Sequence, residues 1–267
     1  MTISRASWEE YAEALKKISE EAAQKFREWY LRVENPYSEA GRLGLIYYAN
    51  VLGEKYGSAA AELACEMYDM MAELEGVSIP AAEPAAVATY GEAAKTVNGV
   101  LKTSTNAEEI SAAVGRLAKQ AAADTILMNA YRDRPRKRST GQKHRHSGAQ
   151  FAWIPMGDTC AFCIMLASRG WQYQTKWAEG HHAEHIHSNC DCTYAVRFSN
   201  DTAFEGYNPD KYLSIYENAE GNKWKDKLNS MRREFYHENA DKINEQKRSA
   251  YAKRKERESS SAEELNI

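Results

Sequence analysis

The chain has 267 residues, of which 43% are hydrophobic and 27% charged, and a formal net charge of −3. This length is sufficient for one or two domains with a hydrophobic core. No apolar run approaches the ~20 residues of a membrane-spanning helix, and the first residues lack the apolar core of a signal peptide. We therefore expect synthesis in the cytoplasm and no membrane contact. In a reducing compartment, the five cysteines favour metal binding or thiols over disulfides.

The charges are distributed unevenly along the chain. Residues 1–131 carry a net charge of −7, whereas residues 132–148 carry a net charge of +6, and residues 223–267 a net charge of +3. Residues 132–148 contain Pro and Gly but no large apolar residue, which is typical of a linker.

The basic segment is also the candidate contact to DNA, because each Arg or Lys can displace a counterion from a phosphate. Its basic residues are Arg132, Arg134, Arg136, Lys137, Arg138, Lys143 and Arg145. It has no aromatic side chain for base stacking, so we expect non-specific contact to double-stranded DNA. A solvated basic linker is the alternative.

Helical periodicity dominates residues 1–131. Ser7 and Glu10 have the spacing of a capping box and predict the start of the first helix. Apolar residues then recur at steps of three or four, which predicts one buried helix face. These residues are Tyr11, Leu15, Ile18, Ala22, Phe26, Trp29 and Val33.

The rest of this region predicts further helices. A second helix is predicted through residues 43–48, which Gly53 and Gly57 break or bend. A third is predicted to begin at Ser58 and to end near Gly76, a glycine suited to a C-terminal cap. Two more helices are predicted over about 84–101 and 106–131. Residues 1–131 therefore predict a bundle-like helical domain.

The most specific chemical pattern lies between residues 160 and 192. Cys160 and Cys163 form a C-x2-C pair, and Cys190 and Cys192 form a C-x-C pair that follows His187. Two close pairs of soft ligands, separated by a loop, suit a tetrahedral zinc site.

Five candidate ligands compete for the four positions of such a site. Cys160, Cys163 and Cys190 are the first choices, and the fourth ligand is His187 or Cys192. We favour His187, because H-x2-C repeats the spacing of C-x2-C. Four protein ligands close the site to water, so the expected zinc is structural and no catalytic residue is assigned. Disulfides, or free or catalytic thiols, are the alternatives.

Short strand patterns flank the cysteine pairs. Residues 151–154 and 193–198 are predicted to pair, with a helix starting at the first cysteine pair and capped by Asp158 or Thr159. This would form a small α+β module in which metal replaces part of a core. A short helix from Pro209 or Asp210 and a charged helix over about 222–257 complete the chain.

The predicted fold class is therefore mainly α. A helical domain, residues 1–131, precedes the basic linker, residues 132–148. An α+β Cys/His module with a zinc-binding pattern, residues 149–200, and a charged helical tail, residues 201–267, follow.

Residues 151–198 resemble the phage Mu F-like minor capsid family, also called head morphogenesis proteins. The shared pattern is an apolar strand, an Asp just before a C-x2-C pair, a loop, H-x2-C-x-C and a second strand. Here it comprises Trp153, Asp158, Cys160, Cys163, His187, Cys190 and Cys192. The stretches CAFCIMLASRG and, at 123–133, ADTILMNAYRD are similar to minor capsid proteins of tailed phages of actinobacteria.

The resemblance implies a virion protein, made in the host cytoplasm and incorporated into the phage head near the portal. Its implied partners are portal and capsid proteins and packaged DNA, and its implied role is binding. A capsid maturation protease or a nuclease that uses the Cys/His module is the alternative, although the chain has no G-x-S-x-G, H-E-x-x-H or P-loop pattern. The family commonly has Arg between the last two cysteines. Asp191 stands there in this chain, which argues against an anion-binding role for that position.

Overall fold

A computed structural model of the chain describes residues 1–135, 148–156, 159–174, 192–241, 244, 245 and 248. Contacts divide it into two compact units. The first unit comprises residues 1–159 and 169–209, and the second comprises residues 160–168 and 210–267. Among the described residues, helices predominate, which confirms the prediction of a mainly α protein.

Four helices form the body of the first unit. They are α1 (Arg5–Tyr30), α2 (Glu39–Leu74), α3 (Tyr90–Thr103) and α4 (Ala107–Arg132). Helices α1, α2 and α4 pack against one another, and α3 packs against α2 and α4. Their shared core includes Phe26, Leu45, Val97, Ile110 and Leu117, all almost fully buried.

The start of α1 corrects the sequence prediction. The N-cap is Ser4, whose side chain accepts a hydrogen bond from the Ser7 amide at 3.2 Å, so the cap lies three residues before the predicted Ser7 and the helix begins at Arg5. Ser4 has an extended backbone because it follows the short strand β1 (Thr2–Ile3), and this conformation suits an N-cap. The predicted apolar face is otherwise largely buried, whereas Trp29 remains 42% exposed.

Helix α2 is continuous over 36 residues, so the predicted breaks at Gly53 and Gly57 are wrong. A Cβ atom on Gly57 would lie 3.3 Å from Val87 Cγ1, and one on Gly53 would lie 3.7 Å from Ala88 Cβ. Gly57 therefore marks a close approach of the segment 77–89 to the helix, whereas Gly53 lies at ordinary contact distance from it. Ser58 is not a cap, because it lies inside α2 and donates to the Glu54 carbonyl.

The predicted end of this helix is confirmed at Gly76. Gly76 has a φ of +63°, and the next amide, Val77 N–H, donates to the Ala72 carbonyl at 2.8 Å. This is the geometry of a Schellman cap, in which a glycine in the left-handed region ends the helix. The following helix, α3, begins at Tyr90 rather than near residue 84, and a capping box of Thr89 and Glu92 fixes that start.

Strands β2 (Gln150–Ile154) and β3 (Thr193–Arg197) pair antiparallel, as the sequence predicts. Trp153 lies opposite Tyr194, and Gln172 pairs with Phe151 on the other edge of β2. A separate parallel pair joins β1 to β4 (Ala203–Phe204).

The strand pair packs on the helices of the same unit. The ring of Phe198, just after β3, meets the Tyr68 ring edge to face at 5.4 Å, and the Phe198 amide donates to Glu75 Oε1. Packing within one unit does not test whether residues 149–200 fold separately, so the predicted domain boundaries stay a prediction.

Three helices lie in or enter the second unit: α5 (Ala161–Ala167), α6 (Pro209–Asn218) and α7 (Trp224–Glu238). A small cluster of Ala161, Ala219, Leu228 and Met231 forms its core. Helix α6 begins at Pro209, as predicted. Helix α7 ends at Glu238, and most of its predicted extension to about residue 257 lies outside the described residues. Within the described part of the chain, no helix is long and apolar enough to span a bilayer.

Candidate functional site

The predicted zinc ligands are only partly described. Cys160 is the N-cap of α5, in place of the predicted Asp158 or Thr159, and Cys163 is buried on its first turn. Both belong to the second unit, whereas Cys192 belongs to the first. His187 and Cys190 lie outside the described residues. Among the residues that are described, no group of three His, Cys, Asp or Glu side chains could hold a metal, so the zinc prediction stays untested.

Cys192 is buried at the entrance to β3. It is 3% exposed, and its Sγ accepts a hydrogen bond from the Met156 amide at 3.4 Å. Its side chain also borders a water-sized cavity beside Tyr11 and Trp153. Cys192 is thus surrounded by the core of the first unit.

Two of the seven predicted DNA-contacting residues are described, and both have local partners. Arg132 forms an ion pair with Asp133 at 2.8 Å and donates to the carbonyls of Pro80 and Ala81. The hydrogen bond with Asp133 is the main cause that raises the pKa of Arg132. The guanidinium of Arg134 lies over the Tyr131 ring, 3.7 Å from its centroid. The other five lie outside the described residues: Arg136, Lys137, Arg138, Lys143 and Arg145.

Polar side chains of α4 hold the extended segment 77–89 against the bundle. Thr125 Oγ1 accepts from the Ala85 amide at 3.0 Å, and Asn129 forms two hydrogen bonds with the backbone of Glu83. Arg132 adds the bonds to the carbonyls of residues 80 and 81. An extended segment without a neighbouring strand leaves its backbone amides and carbonyls without backbone partners. The polar side chains of the stretch 123–133 bind many of these groups instead.

Asp124 is the exception in this stretch. It is 7% exposed, and its Oδ1 has no hydrogen-bond partner within the described structure. Burial raises the pKa of its carboxyl group to about 7, and the nearby charge of Glu92 raises it further, against a hydrogen bond with Gln120 that lowers it. A buried carboxylate without a full set of partners is costly, and such groups concentrate at functional sites.

Asp124 contributes to a groove of about 360 Å³ between segment 85–89 and α4. Its lining residues include Val87, Gln120, Ala121 and Met128. The sequence does not indicate this groove directly, because residues 85–89 are predicted to be helical. The sequence signal is Asp124 itself, a carboxylate within the mostly apolar stretch 121–130.

The family model of VG15 proteins matches residues 2–219, which is most of the chain. The chain belongs to the VG15 family. VG15 proteins are a phage family, so the prediction of a phage protein is confirmed. No curated protein and no solved structure is significantly similar to the chain. The relation to Mu F-like minor capsid proteins therefore remains a resemblance.

The extent of the VG15 match follows the structure. It begins at β1 and ends one residue after α6, so it spans the whole helical body, both strand pairs and the cysteine segment. Helix α7 and the charged residues after it lie beyond the match. The groove at Asp124 lies within the part that defines the family.

An exposed apolar stripe on α2 is a second feature that the sequence analysis missed. Leu43, Tyr47 and Val51 are 50%, 66% and 38% exposed. They are spaced four residues apart, so they lie in one line along the helix. The spacing of four residues is visible in the sequence, but apolar periodicity alone does not distinguish an exposed helix face from a buried one.

Proposed function

We propose that this VG15 protein is a minor structural component of the phage head that acts by binding. Its helical unit docks on a portal or capsid protein, its basic segment contacts packaged DNA, and a structural zinc stabilises its Cys/His segment. The observation that carries the docking role is the exposed stripe of Leu43, Tyr47 and Val51 in a chain of a phage family.

The stripe has the character of an interface core. Large apolar and aromatic side chains are enriched at the centres of protein interfaces, where they supply most of the binding energy. Tyr47 is the most exposed aromatic side chain among the described residues, and Trp29 lies on the neighbouring helix with its ring 5.3 Å from that of Tyr48. A partner that covers this stripe would bury three large apolar side chains that the bundle leaves in water.

Incorporation into phage heads tests the docking role. A triple variant, Leu43→Ser, Tyr47→Ser and Val51→Thr, removes the stripe without touching the bundle core, and it should lower the copy number in purified heads at least tenfold. Tyr90→Ser, which removes a similarly exposed aromatic residue from α3, serves as the matched control. Normal incorporation of a folded triple variant would contradict docking through α2.

The proposed DNA contact rests on the charge of residues 132–148. Arg132 is bound to Asp133 and to two backbone carbonyls, and Arg134 lies over the Tyr131 ring, so we place the phosphate contacts on the other five basic residues of the segment. Five phosphate contacts predict that log K falls with log salt with a slope of roughly −4 to −5. Binding to duplex DNA that is independent of salt would contradict this mechanism.

The proposed zinc uses Cys160, Cys163 and Cys190 with His187 as the fourth ligand. Cys160 and Cys163 lie on one turn, at the spacing that C-x2-C zinc pairs use. The burial of Cys192 and its hydrogen bond with Met156 support His187 over Cys192 as the fourth ligand. When bound, zinc would cross-link the segment and take no part in chemistry.

Metal analysis of the purified protein should find about one zinc per chain. Cys160→Ser should abolish zinc binding, and Cys192→Ser should not. Cys65→Ser alters a thiol inside α2 and controls for the loss of any cysteine. A folded protein without metal under reducing conditions would contradict the zinc proposal and leave the docking proposal intact.

A further inference from the structure

The groove beside Asp124 has walls of two kinds. On one side lies the extended segment 85–89, and on the other lies one face of α4 with Leu117, Ala121 and Met128. The walls are therefore mostly apolar. The volume of about 360 Å³ falls at the lower end of the range for ligand sites, which suits one extended side chain rather than a large cofactor.

Asp124 supplies the buried charge of this groove. Its neighbours Thr125 and Asn129 use their polar groups to hold segment 77–89, so their burial is explained by the fold. Asp124 holds no backbone group of that segment, and its Oδ1 lacks a partner within the described structure. The cost of burying this carboxylate is thus not offset by any described contact of the fold, apart from a hydrogen bond with Gln120.

The rim of the groove is also negative. Glu92 lines it, and its Oε2 accepts hydrogen bonds from the Thr89 amide at 2.7 Å and the Thr89 hydroxyl at 2.9 Å. The capping box fixes this carboxylate in place. Two carboxylates beside one groove repel anions and attract a cation. In the described part of the chain no group of three ligands could hold a metal ion, so an organic cation fits better.

We infer that this groove receives an arginine side chain of a partner protein, with its guanidinium on the carboxylate of Asp124. The planar guanidinium can donate two hydrogen bonds to one carboxylate, which a point-like ammonium cannot. Its methylene stem packs against Val87, Ala121 and Met128. The amide oxygen of Gln120 can accept a further donor.

The site predicts binding that depends on pH. The groups that face Asp124 are Glu92 on α3 and Gln120 on α4, and segment 85–89 carries no acidic or basic side chain. With the pKa of Asp124 raised to about 7, the carboxyl group is mostly protonated at pH 6 and mostly ionised at pH 8. A guanidinium prefers the ionised form, so its affinity should rise about tenfold between these pH values and level off above them.

The test is an NMR titration of the full chain with the tripeptide acetyl-Gly-Arg-Gly-amide. The neutral isostere acetyl-Gly-citrulline-Gly-amide and the small cation agmatine are the comparison ligands. Asp124→Asn removes the charge but keeps the shape, and Glu109→Gln, an exposed position on the same helix, is the matched control. The arginine peptide should shift amide signals of 85–89 and 120–128, and Asp124→Asn should weaken its binding at least tenfold.

Three outcomes would overturn the inference. The first is that the citrulline peptide binds as tightly as the arginine peptide. The second is that the folded Asp124→Asn variant binds the arginine peptide as tightly as the natural chain does. The third is that agmatine binds but the arginine peptide does not, which would indicate a small-molecule site. A variant that fills the groove, Ala86→Trp, provides a second check that keeps the charge of Asp124, and it should also abolish the shifts. The docking stripe on α2 is unchanged in all these variants, so head incorporation can fail or succeed independently of this result.

Discussion

Asn129 and Glu83 are joined by two hydrogen bonds of opposite direction. Asn129 Nδ2 donates to the Glu83 carbonyl at 2.8 Å, and Asn129 Oδ1 accepts from the Glu83 amide at 3.0 Å. One side chain thus pairs with both backbone groups of a residue 46 positions away, as a neighbouring strand would. The extended segment 77–89 owes much of its order to this contact.

Asn129→Leu keeps the approximate shape of this side chain and removes both bonds. Asn129 is 1% exposed, so the lost bonds cannot be replaced fully by water. We expect the free energy of unfolding to fall by about 1–3 kcal/mol, measured by urea denaturation. Asn222→Leu, at an exposed position, should change it far less. An equal effect of the two substitutions would show that Asn129 does not hold the segment.

Gly53 and Gly57 in the middle of α2 predict opposite effects of substitution. A Cβ on Gly53 meets only ordinary contacts at 3.7 and 4.0 Å, so Gly53→Ala should stabilise the protein by about 0.5–1 kcal/mol through higher helix propensity. Gly57 approaches Val87 more closely, and Gly57→Leu should cost about 1–3 kcal/mol by overpacking. Thermal unfolding of both variants measures this difference. A stabilising Gly57→Leu would mean that the segment does not lie against α2.

Asp124 predicts how stability changes with pH. The folded state raises the pKa of this carboxyl group from its ordinary 3.8 to about 7, so it binds the proton more tightly than the unfolded state does. The contribution of Asp124 to the free energy of unfolding is therefore most favourable below about pH 4 and falls as the pH rises to 7. Above pH 7 it no longer changes. The total change is at most ~4 kcal/mol.

Asp124→Asn should remove this dependence. The difference in unfolding free energy between the variant and the natural chain should grow in favour of the variant from pH 4 to pH 7, measured by urea denaturation at several pH values. Glu109→Gln provides the control at an exposed carboxylate. A difference that stays constant with pH would mean that Asp124 is not perturbed by burial.

Lys227 closes the C-terminal end of α6 in the second unit. Its Nζ donates to the carbonyls of Tyr216, Glu217 and Ala219 at 3.1, 2.7 and 3.1 Å. Lys227→Met should remove these bonds and lower the local stability by about 1 kcal/mol, seen as faster hydrogen exchange of amides in α6. Lys225→Met, on the exposed side of α7, should leave that exchange unchanged.

Much of the helical body can be predicted from the sequence, because apolar periodicity and local caps determine it. The end of α2 at Gly76 and the start of α4 at Asn106 follow from residues that act within one turn. The pairing of β2 with β3 was also predictable, since two apolar segments flank the cysteine pattern.

The errors arise where a distant contact overrides a local preference. Gly53 and Gly57 suggest breaks, but α2 continues through both, which are buried against segment 85–89 and α4. The alanine-rich residues 84–89 favour a helix by composition, yet Thr125 and Asn129 hold the segment extended across α4. The groove at Asp124 exists only because of this override, so a local pattern can mark Asp124 as unusual but cannot predict the groove.

The pairing of β1 with β4 has a consequence for how the protein is made. Thr2 and Ile3 find their partners at Ala203 and Phe204, and the Arg5 amide donates to Glu205. Residues 2 and 3 are therefore synthesised about 200 residues before the strand with which they pair. Until then the start of α1 has no neighbouring strand and Trp8 lacks the Phe204 ring that it meets at 5.3 Å. The first unit therefore cannot complete this strand pair until residues 203–205 have been synthesised.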